Sequence, residues 1–318
     1  MEKRYLALDL GGTKLMIGEV EGSGHIVRSK QYTTGYCSQE EAMRIVIASL
    51  DDYLKDGYTD GVCPEAMGVG LIGRIDCRRG EWLQIDTSRD IVVPMAQILS
   101  ERYSLPCFID NDVKSATRAE MSWGCGRDTS NFVYINIGTG IAAGAVVDGR
   151  IVRGAHYDAG EVGYMISNVG AASDMERENI ENVASGHGFD LQARRLIGRY
   201  PNTCISLPSN GRIDVRSIYE GYLKGDALCR YLVVQAAEAI ATLFTNMIRA
   251  FDPECIVVGG GIVADGMMLA LVEQLVQPNN KRFLSMGVVA TRLDPRYAGL
   301  LGAAAVAMDG IGKKTINK

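Results

Sequence analysis

The feature that most constrains the fold is an internal repeat. Residues 5–20 read YLALDLGGTKLMIGEV and residues 132–147 read FVYINIGTGIAAGAVV, so the two segments align without a gap. In each, an apolar strand ends in a polar residue, Asp9 or Asn136, and a glycine turn leads into a second strand. Because the copies are separated by a long stretch of chain, the repeat indicates two related α/β domains. The alternative is a chance similarity between two hairpins.

The segments that follow each copy predict ordinary α/β elements. Ser38-Gln-Glu-Glu41 is a capping box that opens a helix running to about Lys55. Further helices are predicted after Pro94 and over 112–123, 180–199 and 227–250, with a C-terminal helix opening at Gly302. Short buried strands are predicted at 66–71, 107–109 and 255–258.

Composition excludes several classes of function. The net charge of −5 and the absence of a Lys/Arg-rich run argue against a nucleic-acid surface and against binding to a membrane surface. An apolar run of the roughly 18 residues that a transmembrane helix needs is not predicted, and Asp9 interrupts the N-terminal apolar run before it reaches signal-peptide length. The eight cysteines are scattered without a CxxC pair, which favours reduced thiols and a cytoplasmic protein.

The glycine turns of the repeat favour phosphate binding. The residues concerned are Gly11, Gly12, Thr13 and Lys14 in the first copy and Gly138, Thr139 and Gly140 in the second. Glycines let backbone N–H groups approach a phosphate closely. Asp9 is expected to hold Mg²⁺ through water, and Lys14 to offset phosphate charge. A plain hairpin turn is the alternative, and the P-loop pattern GxxxxGK[ST] is absent.

A third glycine run follows the predicted strand at 255–258. Gly259, Gly260 and Gly261 are interpreted as a strand end that opens a helix. Three successive glycines there would leave room for a nucleotide base or ribose. A tight strand–helix turn is the alternative.

Two polar motifs carry the remaining chemistry. Asp110-Asn111-Asp112 ends a strand, where open α/β sheets place their reactive groups. Phosphoryl transfer to an alcohol needs a base that accepts the hydroxyl proton, and Asp112 is the candidate, with Asn111 as a hydroxyl ligand. The alternative is helix N-capping. Glu161 and Tyr164, beside a glycine turn, are candidate ligands of sugar hydroxyls.

In this order, the motifs resemble the ROK family (repressor, open reading frame, kinase) of sugar kinases. The matching segments are DLGGTK (9–14), GVGLIGRID (68–76), DNDVKSATRAE (110–120), GTGIAAG (138–144), DGRIVRGAHYDAGEVGY (148–164) and VVGGG (257–261). The resemblance implies an actin/hexokinase-like (ribonuclease H-like) fold of two α/β domains with a cleft between them. It places the N-terminal domain at 1–120 plus 298–318 and the C-terminal domain at 121–297. It also implies a homodimer.

The resemblance further implies transfer of the ATP γ-phosphate to a sugar hydroxyl, commonly O6. Asp112 matches the catalytic base. The positions that match sugar contacts are Gly73, Asn111, Glu161, Tyr164, which stands at the family's histidine position, and Glu181 in IENVASG.

This sequence departs from the family pattern at its structural zinc site. The histidine after the Gly-Glu is Tyr164, and the CxCGxxGC run is absent, since residues 165–180 read MISNVGAASDMERENI. The sequence therefore resembles a zinc-free branch that includes β-glucoside kinases and some N-acetylmannosamine kinases. Ile72-Gly73 replaces the usual Pro-Gly, and Asp86 replaces the usual Asn near the sugar.

The leading hypothesis is a kinase that uses ATP and Mg²⁺, without zinc, and phosphorylates a hexose. Glucose is the default substrate, and a β-glucoside or an N-acetylated hexosamine such as N-acetylmannosamine or N-acetylglucosamine is the alternative. A transcriptional repressor would need an N-terminal helix-turn-helix, for which the turn beginning at residue 9 leaves no room. A sugar sensor without catalysis is the other class, and retention of Asp112 and both glycine turns argues against it.

Overall fold

Two five-stranded sheets with equivalent strand orders carry the fold, one in each of two structural units. The computed structural model describes residues 2–35, 38–84, 91–167 and 179–316. Unit 1 comprises Met1–Asp128, Arg153–Asp158 and Arg292–Lys318, and unit 2 comprises Thr129–Val152 and Ala159–Thr291.

Unit 1 contains a mixed sheet with helices on both faces. Its elements are β1 (Arg4–Leu10), β2 (Lys14–Glu21), β3 (Ile26–Thr33), α1 (Gln39–Leu54), β4 (Ala66–Leu71), β5 (Arg74–Asp76), β6 (Glu81–Gln84), α2 (Met95–Tyr103), β7 (Cys107–Asn111), α3 (Asp112–Trp123) and α10 (Ala298–Ile316). The sheet order is β3-β2-β1-β4-β7, in which β1 runs antiparallel to β2 and parallel to β4.

Unit 2 repeats this arrangement. Its elements are β8 (Phe132–Ile137), β9 (Ile141–Val147), β10 (Arg150–Ile151), α4 (Ile180–Ala184), α5 (Gly186–Leu196), α6 (Val215–Leu223), α7 (Ala227–Phe251), β11 (Cys255–Gly259), α8 (Met267–Leu275), α9 (Pro278–Lys281) and β12 (Gly287–Ala290). The order β10-β9-β8-β11-β12, with β8 antiparallel to β9 and parallel to β11, matches that of unit 1. The repeat in the sequence is therefore a repeat of topology.

The two hairpins nevertheless differ by one residue, so the gapless alignment is wrong at the turn. Leu10 pairs with Leu15 across residues 11–14, whereas Ile137 pairs with Ile141 across residues 138–140. The second turn closes earlier because the N–H of Gly138 donates to the carbonyl of Gly140. Without that shortening, Ile141 would face away from the core, since a one-residue slip exchanges the two faces of a strand.

The unit 1 sheet is covered on both faces by apolar side chains. Leu6, Leu8 and Leu10 share one core cluster with residues of α1 and α2. Tyr5 and Ala7, which alternate with them along β1, pack in a second cluster with α10.

Helix α10 approaches the sheet very closely. A Cβ on Gly68 of β4 would lie 1.9 Å from the carbonyl oxygen of Ala303, so only glycine fits there. This close contact explains the run of small residues in the C-terminal helix, which begins at Ala298, earlier than the predicted Gly302.

Helix α7 is the core helix of unit 2. It is the one span among the described residues that is long and apolar enough to cross a membrane, by length and composition alone. Its buried side chains, including Leu232, Ile240 and Phe244, pack in the unit 2 core.

Most predicted elements are confirmed, and two are wrong. The capping box opens α1, where the Ser38 side chain accepts from the N–H of Glu41, and the strands at 66–71, 107–109 and 255–258 and the helices at 112–123 and 227–250 are found within a few residues. The predicted helix over 180–199 breaks at Ser185, whose extended backbone and side-chain bond to the Gly188 N–H start a new helix. The predicted helix directly after Gly261 is also wrong, because α8 begins only at Met267.

Candidate active site

The segment that joins β7 to α3 holds the candidate catalytic carboxylate. Asn111 ends the strand and caps the helix, with its Oδ1 accepting from the N–H groups of Val113 at 3.1 Å and Lys114 at 3.2 Å. Its Nδ2 donates to the carbonyl of Gly73 at 3.1 Å. The N-capping alternative is therefore the observed role of Asn111, and the same residue ties Gly73 to this point.

Asp112 is the first residue of α3 and is partly buried. Its Oδ1 accepts from the N–H of Val113 at 2.9 Å. Burial raises the pKa of Asp112, while the Val113 N–H and the charge of Lys114 oppose the rise. A carboxylate whose pKa is raised toward neutrality is a stronger base when ionised, as general-base catalysis requires.

Asp9 lies near the end of β1 and interacts electrostatically with Asp112. Burial, followed by the charge of Asp112, raises the pKa of Asp9 to about 7. A Cβ on Gly299, in the first turn of α10, would lie 2.1 Å from Oδ2 of Asp9, so the carboxylate is packed against that turn. Two neighbouring carboxylates are a donor set that suits a hard divalent cation.

The first glycine turn leads from β1 into β2. The N–H of Gly11 donates to the carbonyl of Lys14 at 2.9 Å, and the carbonyl of Thr13 accepts from Thr34 at 3.1 Å. A Cβ on Gly11 would meet its nearest neighbour at 3.6 Å, an ordinary contact, so packing within the turn does not require glycine there. Thr13 and Lys14 are exposed.

The second glycine turn is braced by Glu181. Oε2 of Glu181 accepts from the N–H of Ile141 at 2.8 Å, and a Cβ on Gly140 would lie 2.6 Å from the same oxygen. The start of α5 adds two bonds, from the N–H of Gly186 to Gly138 and from that of His187 to Thr139. Glu181, predicted as a sugar contact, thus holds the turn, and its sugar role stays a prediction.

A cavity of about 480 Å³ in unit 2 brings the second turn together with the third glycine run. It is lined by Gly138, Thr139, Gly186, Arg212, Ile213, Asp214, Val215, Arg216, Tyr219, Gly261, Ile262, Ala264 and Asp265. Its mixture of a glycine turn, charged side chains and apolar wall is typical of small-molecule sites.

Only one of the three predicted glycines opens to this cavity. A Cβ on Gly259 would lie 2.6 Å from the Tyr134 hydroxyl, and Gly260 has a φ of 100° with Ile137 directly behind it. Nothing lies within 4 Å of a Cβ on Gly261. Packing and backbone conformation already require glycine at Gly259 and Gly260, so the role of all three glycines in making space for a nucleotide stays a prediction.

Sequence reasoning missed the charged wall of the cavity. Arg212, Asp214 and Arg216 lie at or beside the start of α6, and the Arg216 guanidinium pairs with Asp214 at 3.1 Å. The one feature of the sequence that could have indicated this wall is the pair of arginines, four residues apart, beside the start of a helix. The Tyr219 hydroxyl donates to the carbonyl of Ile262 at 2.8 Å and fixes the wall that carries Gly261.

Glu161 and Tyr164 lie apart from this cavity. Glu161 precedes a short 3₁₀ turn, Val162–Tyr164, that follows the backbone bond from the Ala143 N–H to Gly160. The Tyr164 side chain is 62 % exposed. Their predicted sugar contacts stay predictions, and Asp86 lies outside the described residues.

Among the described residues, one group could hold a metal ion, namely Cys204, Asp226 and Cys229. Asp226 caps α7, and its carboxylate also accepts from the Thr203 hydroxyl and the Cys204 N–H. This group is remote in sequence from the expected zinc region, of which residues 168–178 lie outside the described residues. The absence of zinc stays a prediction.

Comparison with known proteins identifies the class that this fold and these motifs define. The ROK family model matches residues 5–309, and the chain belongs to the ROK family. The fold is accordingly the actin/hexokinase-like one, with two sheets of equivalent topology.

Individual relatives include both kinases and a regulator. The chain is 28 % identical to a β-glucoside kinase from Listeria monocytogenes, covering 94 % of this chain and 96 % of that protein. It is 26 % identical to a xylose repressor from Caldicellulosiruptor bescii, covering 84 % and 68 %. A ROK family glucokinase from Streptomyces griseus, solved with glucose and AMPPNP, superposes with a TM-score of 0.75 at 25 % identity, covering 96 % and 100 %.

Proposed function

We propose that the protein is an ATP-dependent sugar kinase that transfers the γ-phosphoryl group to a hydroxyl, O6, of a hexose such as glucose. The observation that carries the proposal is the placement of Asp112 on the first turn of α3 with a raised pKa. Phosphoryl transfer to an alcohol requires a base that accepts the hydroxyl proton, and the carboxyl end of a strand is where open α/β sheets place such a group.

Asp112 acts as the general base. Its ionised carboxylate accepts the proton of the attacking hydroxyl as the oxygen bonds to phosphorus, and the bond from phosphorus to the ADP oxygen breaks. Asn111 and Gly73 hold the segment that carries Asp112, through the cap of α3 and the bond between them. Glu161 and Tyr164 are proposed to bind further sugar hydroxyls.

The nucleotide is proposed to bind along the second glycine turn and Gly261. The cavity there is about 480 Å³, large enough for a nucleoside, and its Arg212 and Arg216 supply positive charge for phosphates. The first turn, with Thr13 and Lys14, is proposed to bind the terminal phosphates. When Mg²⁺ is bound with the nucleotide it neutralises phosphate charge, and Asp9 is the residue proposed to hold it.

A β-glucoside or an N-acetylated hexosamine is the alternative substrate. The β-glucoside kinase relative supports the first, since it matches this chain over nearly its whole length. Relatives that regulate transcription support the sensor as a different class. We further propose a cytoplasmic homodimer without a nucleic-acid or membrane partner.

A coupled assay of ADP formation tests this proposal directly. Purified protein with MgATP is offered glucose, mannose, fructose, N-acetylmannosamine, N-acetylglucosamine and cellobiose in turn. Turnover with one of these sugars is expected, and the product's phosphorylated carbon is then assigned by NMR. Tight binding of a sugar without turnover on any of them would contradict the kinase and favour the sensor.

A further inference from the structure

An ion pair to which the proposed reaction gives no role lies two residues before Asp112. Asp110, near the end of β7, is 1 % exposed. Its carboxylate meets the Arg153 guanidinium at two points, Nη1 to Oδ1 at 2.7 Å and Nη2 to Oδ2 at 2.6 Å. This parallel fork fixes direction as well as distance.

Arg153 is what keeps this carboxylate ionised. Burial pushes the pKa of Asp110 upward, but the hydrogen bonds and charge of Arg153, followed by the charge of Arg118, hold it below its ordinary value. Arg118 offers one long contact, from Nε to Oδ2 at 3.5 Å, while its Nη1 pairs with Asp309 at 2.7 Å. Arg118 therefore cannot replace Arg153. Loss of Arg153 would leave the buried charge of Asp110 poorly paired.

The segment that supplies Arg153 is fastened to unit 1 at two points. Arg153–Asp158 groups with unit 1, although the residues on both sides of it group with unit 2. Besides the Arg153 fork, a hydrogen bond joins the side chains of Tyr157 and Asp76. The position of the guanidinium is therefore set by unit 1 itself.

A short chain of contacts leads from this ion pair to Asp112. The N–H of Asn111 donates to Oδ1 of Asp110 at 2.9 Å, the same oxygen that Arg153 contacts. Asn111 in turn caps α3, which begins with Asp112. Any change in the Asp110 carboxylate thus acts on the backbone that sets the direction of Asp112.

We propose that Arg153 is a positioning residue for Asp112. It holds the Asp110 carboxylate, which holds the Asn111 backbone and, through the cap, the start of α3. The role assigned to Asp112 rests on the proposed function, whereas the ordering of residues 110–114 by Arg153 does not depend on it.

The test compares Arg153→Met with Arg4→Met. Arg4 is a matched control because its side chain is 10 % exposed and ion-paired with Glu19 and Asp60, in the same unit but at the start of β1. Both variants lose a guanidinium of unit 1 whose side chain is mostly buried, 16 % exposed for Arg153 and 10 % for Arg4. Steady-state kinetics at a temperature where each variant is folded, and hydrogen exchange of the peptide that spans 107–118, are measured on both.

Arg153→Met is expected to lower kcat by about tenfold or more, as a small misplacement of a reacting group does, with the KM for MgATP within about twofold of the parent. Exchange of the Asn111–Lys114 amides is expected to speed up in Arg153→Met alone. Arg4→Met is expected to keep kcat within about twofold. Equal losses of kcat in the two variants, or unchanged exchange at Asn111–Lys114, would overturn the proposal.

Arg153→Lys covers the case in which Arg153→Met does not fold. One ammonium cannot reproduce the fork, so a smaller loss of kcat and a smaller rise in exchange are expected, and parent values for both would overturn the inference. If the parent itself phosphorylates no sugar, the proposed function fails. Faster exchange in Arg153→Met would then still support the ordering role, and unchanged exchange would overturn it.

Discussion

At the scale of single residues, the candidate site is defined by charges placed where burial raises their pKa. Asp9 and Asp112 lie close enough for the charge of one to raise the pKa of the other. Asp110, only two residues before Asp112, has its pKa lowered because Arg153 outweighs burial. The pKa values of neighbouring carboxylates are thus shifted in opposite directions by their surroundings. Such perturbed pKa values are typical of functional sites.

Asp9→Asn should stabilise the protein at alkaline pH but not at acid pH. The pKa of Asp9 is raised from 3.8 to about 7 in the folded state, so the folded protein favours the protonated form and loses stability as the pH rises from about 4 to about 7. The asparagine variant escapes this loss. Its free energy of unfolding should exceed that of the parent by on the order of 4 kcal/mol at pH 8, since each unit of pKa rise corresponds to about 1.4 kcal/mol, and match it near pH 4.

Denaturant unfolding at pH 4, 6 and 8 measures the effect of Asp9→Asn. Asp56→Asn, which makes the same substitution at an exposed carboxylate of unit 1, is the control. A difference between Asp9→Asn and the parent that stays constant from pH 4 to pH 8 would contradict the raised pKa.

At the scale of elements, the start of helix α5 and the Glu181 carboxylate hold the second glycine turn in place. Ser185 interrupts the helical pattern and caps α5, and the first N–H groups of α5 then bond to Gly138 and Thr139. Glu181 completes the brace from α4. The break at Ser185 therefore has a use, because a continuous helix would not present free N–H groups to the turn.

Glu181→Ala should weaken nucleotide binding rather than sugar binding. Losing the bond to the Ile141 N–H loosens the turn that lines the cavity, so the KM for ATP should rise about tenfold, the cost of one lost hydrogen bond to a charged group. The KM for the sugar should stay within about twofold. A rise in the sugar KM alone would instead favour the sugar contact that the family resemblance implies, and exposed Glu220→Ala is the control.

The contact between α10 and β4 offers a matched pair of glycine variants. Gly68→Ala places a Cβ against the Ala303 carbonyl and should destabilise unit 1 by roughly 1–3 kcal/mol. Gly312→Ala, on the same helix with nothing within 4 Å, should be neutral or stabilising by roughly 0.5–1 kcal/mol. Calorimetric melting distinguishes them, and equal effects would contradict the close packing of α10.

At the scale of the whole molecule, the sequence predicts the strand order of the two sheets better than it predicts the length of the turns between strands. The apolar–polar–glycine pattern repeated at 5–20 and 132–147 corresponds to two sheets of equivalent strand order. The one-residue difference between their turns depends on whether Gly138 bonds to Gly140, which residue types alone do not decide. The sequence alone does not separate the two possible reasons for Gly259 and Gly260, because a glycine needed for packing and one needed for a ligand look alike in sequence.

Some residues of the candidate site could be proposed from the sequence, and others became evident only in the structure. Asp112, Asn111 and the glycine turns could be proposed as site residues from the sequence because their order along the chain matches a family pattern. Arg212 and Arg216 were missed because they reach the cavity through the tertiary fold of a stretch without periodicity. The brace by Glu181 was missed because it joins residues forty positions apart.

Metal content tests the zinc-free interpretation of the whole chain. Purified protein is expected to contain no stoichiometric zinc, since the histidine and cysteine run of the family's zinc site are replaced. Elemental analysis finding one zinc per chain would contradict this. If zinc is found, its loss in Cys204→Ser would assign it to Cys204, Asp226 and Cys229 rather than to the family's position.

The rate of phosphoryl transfer by Asp112→Asn, measured beside its affinity for the sugar, tests the central claim most directly. Asparagine keeps the size and the bond to Val113 but cannot accept the hydroxyl proton. Turnover should fall by about 10²–10⁴ while the sugar Kd from calorimetry stays within a few-fold of the parent. Turnover equal to that of the parent would contradict Asp112 as the base.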